Sequence, residues 1–139
     1  MQDAPAPDPA STGWMPLRHE GFILHIGPMW TKPEGAHQLY AIATDERHRN
    51  HNGGVHGGLI AALADHAMGN GARNANEGRA VATVQMDVQF LAAGRLGDFL
   101  IARSHVVRLT RSIVFMRCEV SAGDRAVATG TGVWKILGA

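Results

Sequence analysis

Residues 57–72 read GGLIAALADHAMGNGA, and the folding of this stretch decides the architecture around it. Its Ala- and Leu-rich composition favours a helix. At about 100° per residue, Leu59, Ile60, Leu63 and Ala67 fall on one side of that helix. Asp65, the only formally charged residue of the stretch, falls on the other, among Gly58, Ala61, Ala62, Met68, Gly69 and Ala72. A solvent-facing stripe normally carries Lys, Glu, Arg or Gln. A lone acid in a bed of Gly and Ala therefore reads as a second buried surface holding one deliberate charge. The plainer alternative is a surface acid in a chain that favours alanine.

On both sides of the helix the pattern changes. From Val81 onward Ala82, Val84, Met86, Val88 and Phe90 alternate with Thr83, Gln85, Asp87 and Gln89, the period of a half-buried strand. Ala93–Gly97 reads as a turn, and Asp98–Arg108, Ser112–Ser121 and Arg125–Ile136 read as three more strands, with Gly123-Asp124 as a hairpin turn. Upstream, Phe22–Trp30 and Ala36–Thr44 read as strands and Asp45–Val55 as a polar loop. Two strands, one helix and four consecutive strands with short joins imply an α+β fold. Its sheet is antiparallel and its single helix covers one face.

The whole chain has 139 residues, 13 basic and 12 acidic side chains, eight histidines and one cysteine. That length supports a single domain with one core. A net charge of +1 argues against a nucleic-acid platform, which carries a basic excess. One cysteine forms no internal disulfide, and no apolar run approaches the roughly 20 residues of a membrane span. The opening MQDAPAPDPAST has neither the basic nor the apolar region of a signal peptide. Residues 1–20 are therefore expected to be a disordered tail and 21–139 the single domain, in a cytoplasmic protein that contacts no membrane and no nucleic acid.

The start of the helix carries chemistry of its own. Gly57 and Gly58 leave the first-turn N–H groups unobstructed, and those donors lack intrahelical partners. A carbonyl oxygen gaining negative charge would be stabilised there. Eight residues separate Gly57 from Asp65, roughly 12 Å along the axis, whereas a general base must come within about 3 Å of its proton. One copy of the helix cannot easily present both groups to one carbonyl. Two copies packed antiparallel through their small-residue faces can, which points to a homodimer with two composite sites.

The run Asn50-His51-Asn52-Gly53-Gly54-Val55-His56-Gly57-Gly58, followed by Leu63-Ala64-Asp65, resembles the motif N-x-x-G-x-x-H-G-G-x-x-x-x-L-x-D of hotdog-fold acyl-CoA thioesterases of the phenylacetate-pathway (PaaI-like) group. The similarity runs from about Phe22 to Ile136. It implies the hotdog fold, an antiparallel sheet wrapped around one long central helix, in a homodimer that stands alone or pairs as a dimer of dimers. It also implies hydrolysis of an aryl- or medium- to long-chain acyl-CoA to free acid and CoA. By position, the Gly57 amide would polarise the thioester carbonyl. Asp65 of the partner subunit would be the general base, or a nucleophile forming a transient anhydride. Asn50 would orient the thioester or the water, His56 would lie beside the carbonyl, and Thr83 would help to place the water. Arg108, Arg111 and Ser112, with Gly58, match the CoA-binding positions, although Thr110 stands where a glycine is common.

No cofactor and no metal are implied. His48, His51, His56 and His66 fall close together, but their spacing matches no zinc pattern and HExxH is absent. Apart from His56 they read as loop or helix-surface residues. Cys118 is in phase with Val114, Met116 and Val120 and reads as a buried structural thiol. Met68, Phe90 and Leu91 are candidate pocket-lining residues, or plain core. Two other activities fit the same fold: an acyl-CoA hydratase or dehydratase using His56, and a non-catalytic acyl-CoA-binding dimer.

Overall fold

The computed structural model describes residues 7–139. Seven strands form one antiparallel sheet in the order β1-β2-β3-β5-β6-β7-β4. They are β1 (Met15–Pro16), β2 (Met29–Glu34), β3 (His37–Ala43), β4 (Val81–Phe90), β5 (Phe99–Leu109), β6 (Ile113–Ala122) and β7 (Arg125–Ile136). A five-residue helix α1 (Phe22–Ile26) precedes β2, and the long helix α2 (Gly57–Ala75) packs on one face of the sheet.

Leu59, Ile60, Leu63, Ala64, Ala67, Met68 and Ala72 of α2 are buried against Leu100, Val114, Met116 and Trp134 of the sheet. Each fully buried aliphatic side chain contributes about 1.5–3 kcal/mol of transfer free energy. Close helix-to-sheet approach depends on Gly71, where a Cβ would lie 2.7 Å from both Met116 Cε and Ser104 Oγ. Met68 and Ala72 thus belong to the core and not to the Asp65 side. The sheet buries a wider arc of the helix than a single stripe. Gly58, Ala61, Ala62, Asp65 and Gly69 remain partly or fully open. Cys118 is buried as its phase implies.

Three local expectations are corrected. The segment Phe22–Trp30 is not one strand: Gly21 (φ +70°) starts α1, and Gly27-Pro28 separates it from β2. The alternation in β4 does not run through the whole strand either. A β-bulge between Thr83 and Gln85 leaves Val84 out of register, so Val81 and Thr83 share the helix-facing side with Met86 and Val88. The described part of the lead-in is ordered, with a 3-10 helix at Pro9–Thr12 and β1 paired to β2. Trp14 is buried with Leu39 and Ala41 in a second small core on the outer face of the sheet. Residues 1–6 lie outside the described part.

Candidate active site

α2 and β4 run antiparallel, which gives their shared layer two chemically different ends. At one end is the entry of α2. Asn50 shapes the preceding loop, its Oδ1 accepting bonds from the N–H groups of Asn52 (2.8 Å) and Gly54 (3.0 Å). Those bonds occupy the side-chain oxygen and leave Nδ2 facing Val55 O at 3.5 Å as the more available group. His56 caps the helix, its Nδ1 accepting from Gly58 N–H at 2.8 Å. In the neutral ring the proton therefore sits on Nε2. The Gly58 amide is thereby engaged. The Gly57 N–H has no acceptor among the described residues.

The Phe90 ring, at the end of β4, stands over Gly57, where a Cβ would lie 3.3 Å from Phe90 Cζ. A groove of about 410 Å³ opens here, walled by Val55, Ile60, Phe90, Leu91, Ala92 and Ala93, with Asn50 and Gly57 as its polar side. Phe90 and Leu91 are 55% and 56% exposed, large apolar surface left beside a free donor.

At the other end, Thr83 Oγ1 donates a 2.7 Å bond to Asp65 Oδ1. The bulge at Val84 makes this pairing possible by turning Thr83 toward the helix. The bond fixes one carboxylate oxygen and leaves Oδ2 free to take a proton. Asp65 and Thr83 line a separate groove of about 290 Å³ with His66, Arg73 and Trp134, which has no residue in common with the Gly57 groove. Within one chain, then, donor and carboxylate face different spaces.

Residues 52–129, more than half of the chain, match the model of the thioesterase superfamily. The chain belongs to this superfamily. It is similar to the putative esterase PA0474 of Pseudomonas aeruginosa, with 32% identity over 127 residues, covering 89% of this chain and 95% of that protein. It is also similar to human acyl-coenzyme A thioesterase 13, with 25% identity over 91 residues, 64% of this chain and 65% of the relative. The structure of the E. coli PaaI protein of the phenylacetic acid degradation operon superposes with a TM-score of 0.65 at 23% identity, over 73% of this chain and 72% of that one. The fold is the hotdog fold, and the protein is a thioester hydrolase.

Two histidines of this thioesterase are not the surface residues that their setting in the sequence suggests. His48 is buried. Its Nδ1 accepts from Asp45 N–H (3.0 Å), its Nε2–H donates to Ile26 O (2.7 Å), and its carbonyl accepts from His56 N–H (2.7 Å). It ties the end of α1 to the entry of α2, a structural role that no local pattern announces. His66 follows Asp65 and stacks edge-on against Tyr40 and His19, with Nε2 buried and unpartnered. Burial holds its imidazole down at about 4, His19 adds to the shift and Asp65 opposes it. At neutral pH it adds no positive charge beside Asp65.

The CoA-binding positions divide. Arg111 lines a groove of about 320 Å³ between the end of α2 and the β5–β6 turn. Arg108 is paired with Phe115 on the outer face of the sheet, because a bulge between Val106 and Arg108 reverses the strand's phase. Ser112 contributes its carbonyl to Ile136 N–H. Thr110 does not need a glycine's freedom, since its hydroxyl and N–H both bond Ile113 O at 2.8 Å. Among the described residues no group of His, Cys, Asp and Glu is arranged to hold a metal, and no helix is long and apolar enough to cross a membrane.

Proposed function

We propose that this thioesterase hydrolyses acyl-CoA at a site shared between two subunits, with Asp65 of one and the Gly57 N–H of the other. The observation that carries this reading is the split within one chain. A braced carboxylate stands at one end of the α2–β4 layer and an unused N–H at the opposite end. Thr83 and Phe90 are seven residues apart on β4, roughly 20 Å. Among the described residues β4 also ends the sheet, pairing with β7 alone, and its open edge exposes Val84 at 62%. A ten-residue unpaired edge is a ready template for another strand. Antiparallel pairing of two β4 edges about a two-fold axis sets the Asp65–Thr83 end of one chain beside the Gly57–Phe90 end of the other.

The chemistry then follows. Asp65 Oδ2 takes a proton from a water while Thr83 holds Oδ1. The water oxygen bonds to the thioester carbonyl carbon, and the partner's Gly57 N–H stabilises the oxygen that gains negative charge. The C–S bond breaks, the thiolate takes the proton from Asp65, and free acid and CoA leave. Asn50 Nδ2 and His56 Nε2–H flank the carbonyl. The apolar walls of the Gly57 groove suit an aryl or a medium- to long-chain acyl group, and a cytoplasmic location, where CoA esters are available, is consistent with this reading.

The test is a panel of acetyl-, hexanoyl-, decanoyl-, phenylacetyl- and crotonyl-CoA with free thiol and enoyl absorbance as the readouts. Turnover of the apolar esters, abolished in Asp65→Asn, supports the proposal. Turnover unaffected by Asp65→Asn refutes the catalytic assignment. An enoyl absorbance change without thiol release would make the enzyme a hydratase.

A further inference from the structure

Two hydroxyl groups on the helix-facing side of the sheet are not used by the fold. Tyr40 on β3 and Ser104 on β5 are only 6% and 7% exposed. Tyr40 pairs with Ala102, and Ser104 lies two residues further along β5, so both side chains point to the same face. The hydrogen bonds around them go elsewhere. Gln38 Nε2 donates to Thr31 Oγ1 at 2.7 Å, and Thr31 Oγ1 donates to Leu39 O at 2.9 Å. Neither Tyr40 Oη nor Ser104 Oγ has a partner among the described residues, yet neither oxygen is sealed in as His66 Nε2 is. Buried polar groups are almost always paired.

Both hydroxyls line one cleft of about 220 Å³ between the sheet and the second half of α2. Ala36, Val106 and Met116 on the sheet and Ala75 on the helix supply its apolar wall. Gly71 keeps it open, since a Cβ there would lie 2.7 Å from Ser104 Oγ. The cleft shares no residue with the Asp65 groove or the Gly57 groove. It reaches β3, β5 and β6 on one flank of α2, whereas Asp65 faces β4 and β7 on the other. No lysine or arginine lines it. Burial pushes the Tyr40 phenol above its ordinary value of 10, so that hydroxyl stays neutral. An anion would lose its hydration in this cleft without a cation to offset the loss.

We propose that the cleft is a second small-molecule site, apart from the thioesterase centre, for a neutral, ring-sized molecule bearing one hydroxyl or carboxamide group, with Tyr40 Oη and Ser104 Oγ as its binding groups. An apolar cavity of about 150 Å³ holds benzene in another protein, so this cleft has room for a ring and one short polar substituent. A hydroxyl both donates and accepts, and two of them side by side satisfy an alcohol or a carboxamide equally well. The Met116 thioether and Val106 suit the face and edge of a ring.

The test is ligand-observed NMR titration of the full chain at pH 8 with benzyl alcohol, benzamide, toluene and benzoate. Benzyl alcohol and benzamide should bind with Kd of about 1 mM, the range for ligands of eight or nine heavy atoms. Toluene, without the polar group, should bind about tenfold more weakly, and benzoate more weakly still. Tyr40→Phe and Ser104→Ala should each weaken the two polar probes up to about tenfold and leave toluene unchanged. Ala75→Leu, which fills the cleft from the helix side, should abolish all binding, and saturating CoA should displace none of the probes. Melting curves confirm that each variant is folded. If no ring probe binds the wild type, the cleft holds water only and the proposal falls. It falls also if folded Tyr40→Phe, Ser104→Ala and Ala75→Leu bind the polar probes as the wild type does, which would put the ring elsewhere. Displacement by CoA would place the probes in the thioesterase site, and benzoate binding as well as benzyl alcohol would overturn the neutral ligand class.

Discussion

Replacing Gly57 by proline removes one hydrogen-bond donor and nothing else that the fold uses. Gly57 is the first residue of α2, the helix position where proline is preferred. His56 before it is extended (φ −62°, ψ 131°), the conformation that a following proline requires. The lost N–H has no acceptor among the described residues, so no internal bond is broken. The added ring presses on Phe90 Cζ at 3.3 Å, but that side chain is 55% exposed and has room to turn. A restrained unfolded chain gains about 0.4–1 kcal/mol, so the melting temperature should move by no more than about 4 °C. Activity should behave differently. Loss of one oxyanion donor costs about 10²–10³-fold in kcat, about 2.7–4 kcal/mol. Because His56 Nδ1 already occupies the Gly58 N–H, no second amide of this turn can substitute, and the loss should approach 10³-fold. Gly57→Ala keeps the N–H and should stay within about tenfold of wild type, the margin for a shifted Phe90. The assay is thiol release from acyl-CoA, with melting curves confirming the fold. A folded Gly57→Pro enzyme with near-normal kcat would refute the role given to this amide.

Three further outcomes follow from the geometry. Thr83→Ala removes the 2.7 Å bond to Asp65 and should lower kcat about tenfold with little change in KM, while Thr83→Ser restores it. For His66, burial moves the folded pKa from 6.5 down to about 4, so the unfolded chain binds the proton more readily. Its stability contribution is complete above pH 6.5 and declines as pH falls toward 4. Urea titrations should therefore show His66→Phe sparing about 2 kcal/mol of the loss between pH 7 and pH 5. For Cys118, burial and the neighbouring Glu119 push the thiol up to about 12, so iodoacetamide at pH 8 should label it only in unfolded protein.

The parts of the fold that were legible in the sequence are those where one physical signal acts alone. Leu59, Ile60 and Leu63 on one side of an Ala-rich run specify α2, and the alternation around Cys118 specifies a strand with one face buried. The pairing of Thr83 with Asp65 was legible as two separate positions but not as a contact. Thr83 reads as lying on the polar side of β4 until the bulge at Val84 reverses the phase, and bulges leave no mark in hydrophobic period. The segment from Phe22 to Trp30 misleads for a related reason. Its composition suits a strand, but Gly21 and Gly27 bound a helix of only five residues. Trp14 was lost to the proline-rich composition around it, because its burial depends on Leu39 and Ala41, far along the chain. His48 was invisible in the same way, since its ring hydrogen bonds go to main-chain atoms, one of them on Ile26 far back in the chain. Arg108 and Arg111 look equivalent in sequence, and only the second bulge, in β5, sends them to opposite faces.

The central claim is that each site takes Asp65 from one subunit and Gly57 from the other, and subunit complementation tests it directly. Asp65→Asn and Gly57→Pro chains, each nearly inactive alone, are co-expressed in equal amounts and the thiol-release activity of the mixture is measured. In a composite dimer each mixed pair holds one site with both groups intact and one with neither. With random pairing, half of the dimers are mixed, and activity should return to about one quarter of wild type. A mixture that stays as inactive as its parents, although mixed dimers are shown to form, would place both groups of each site in one subunit and contradict the account.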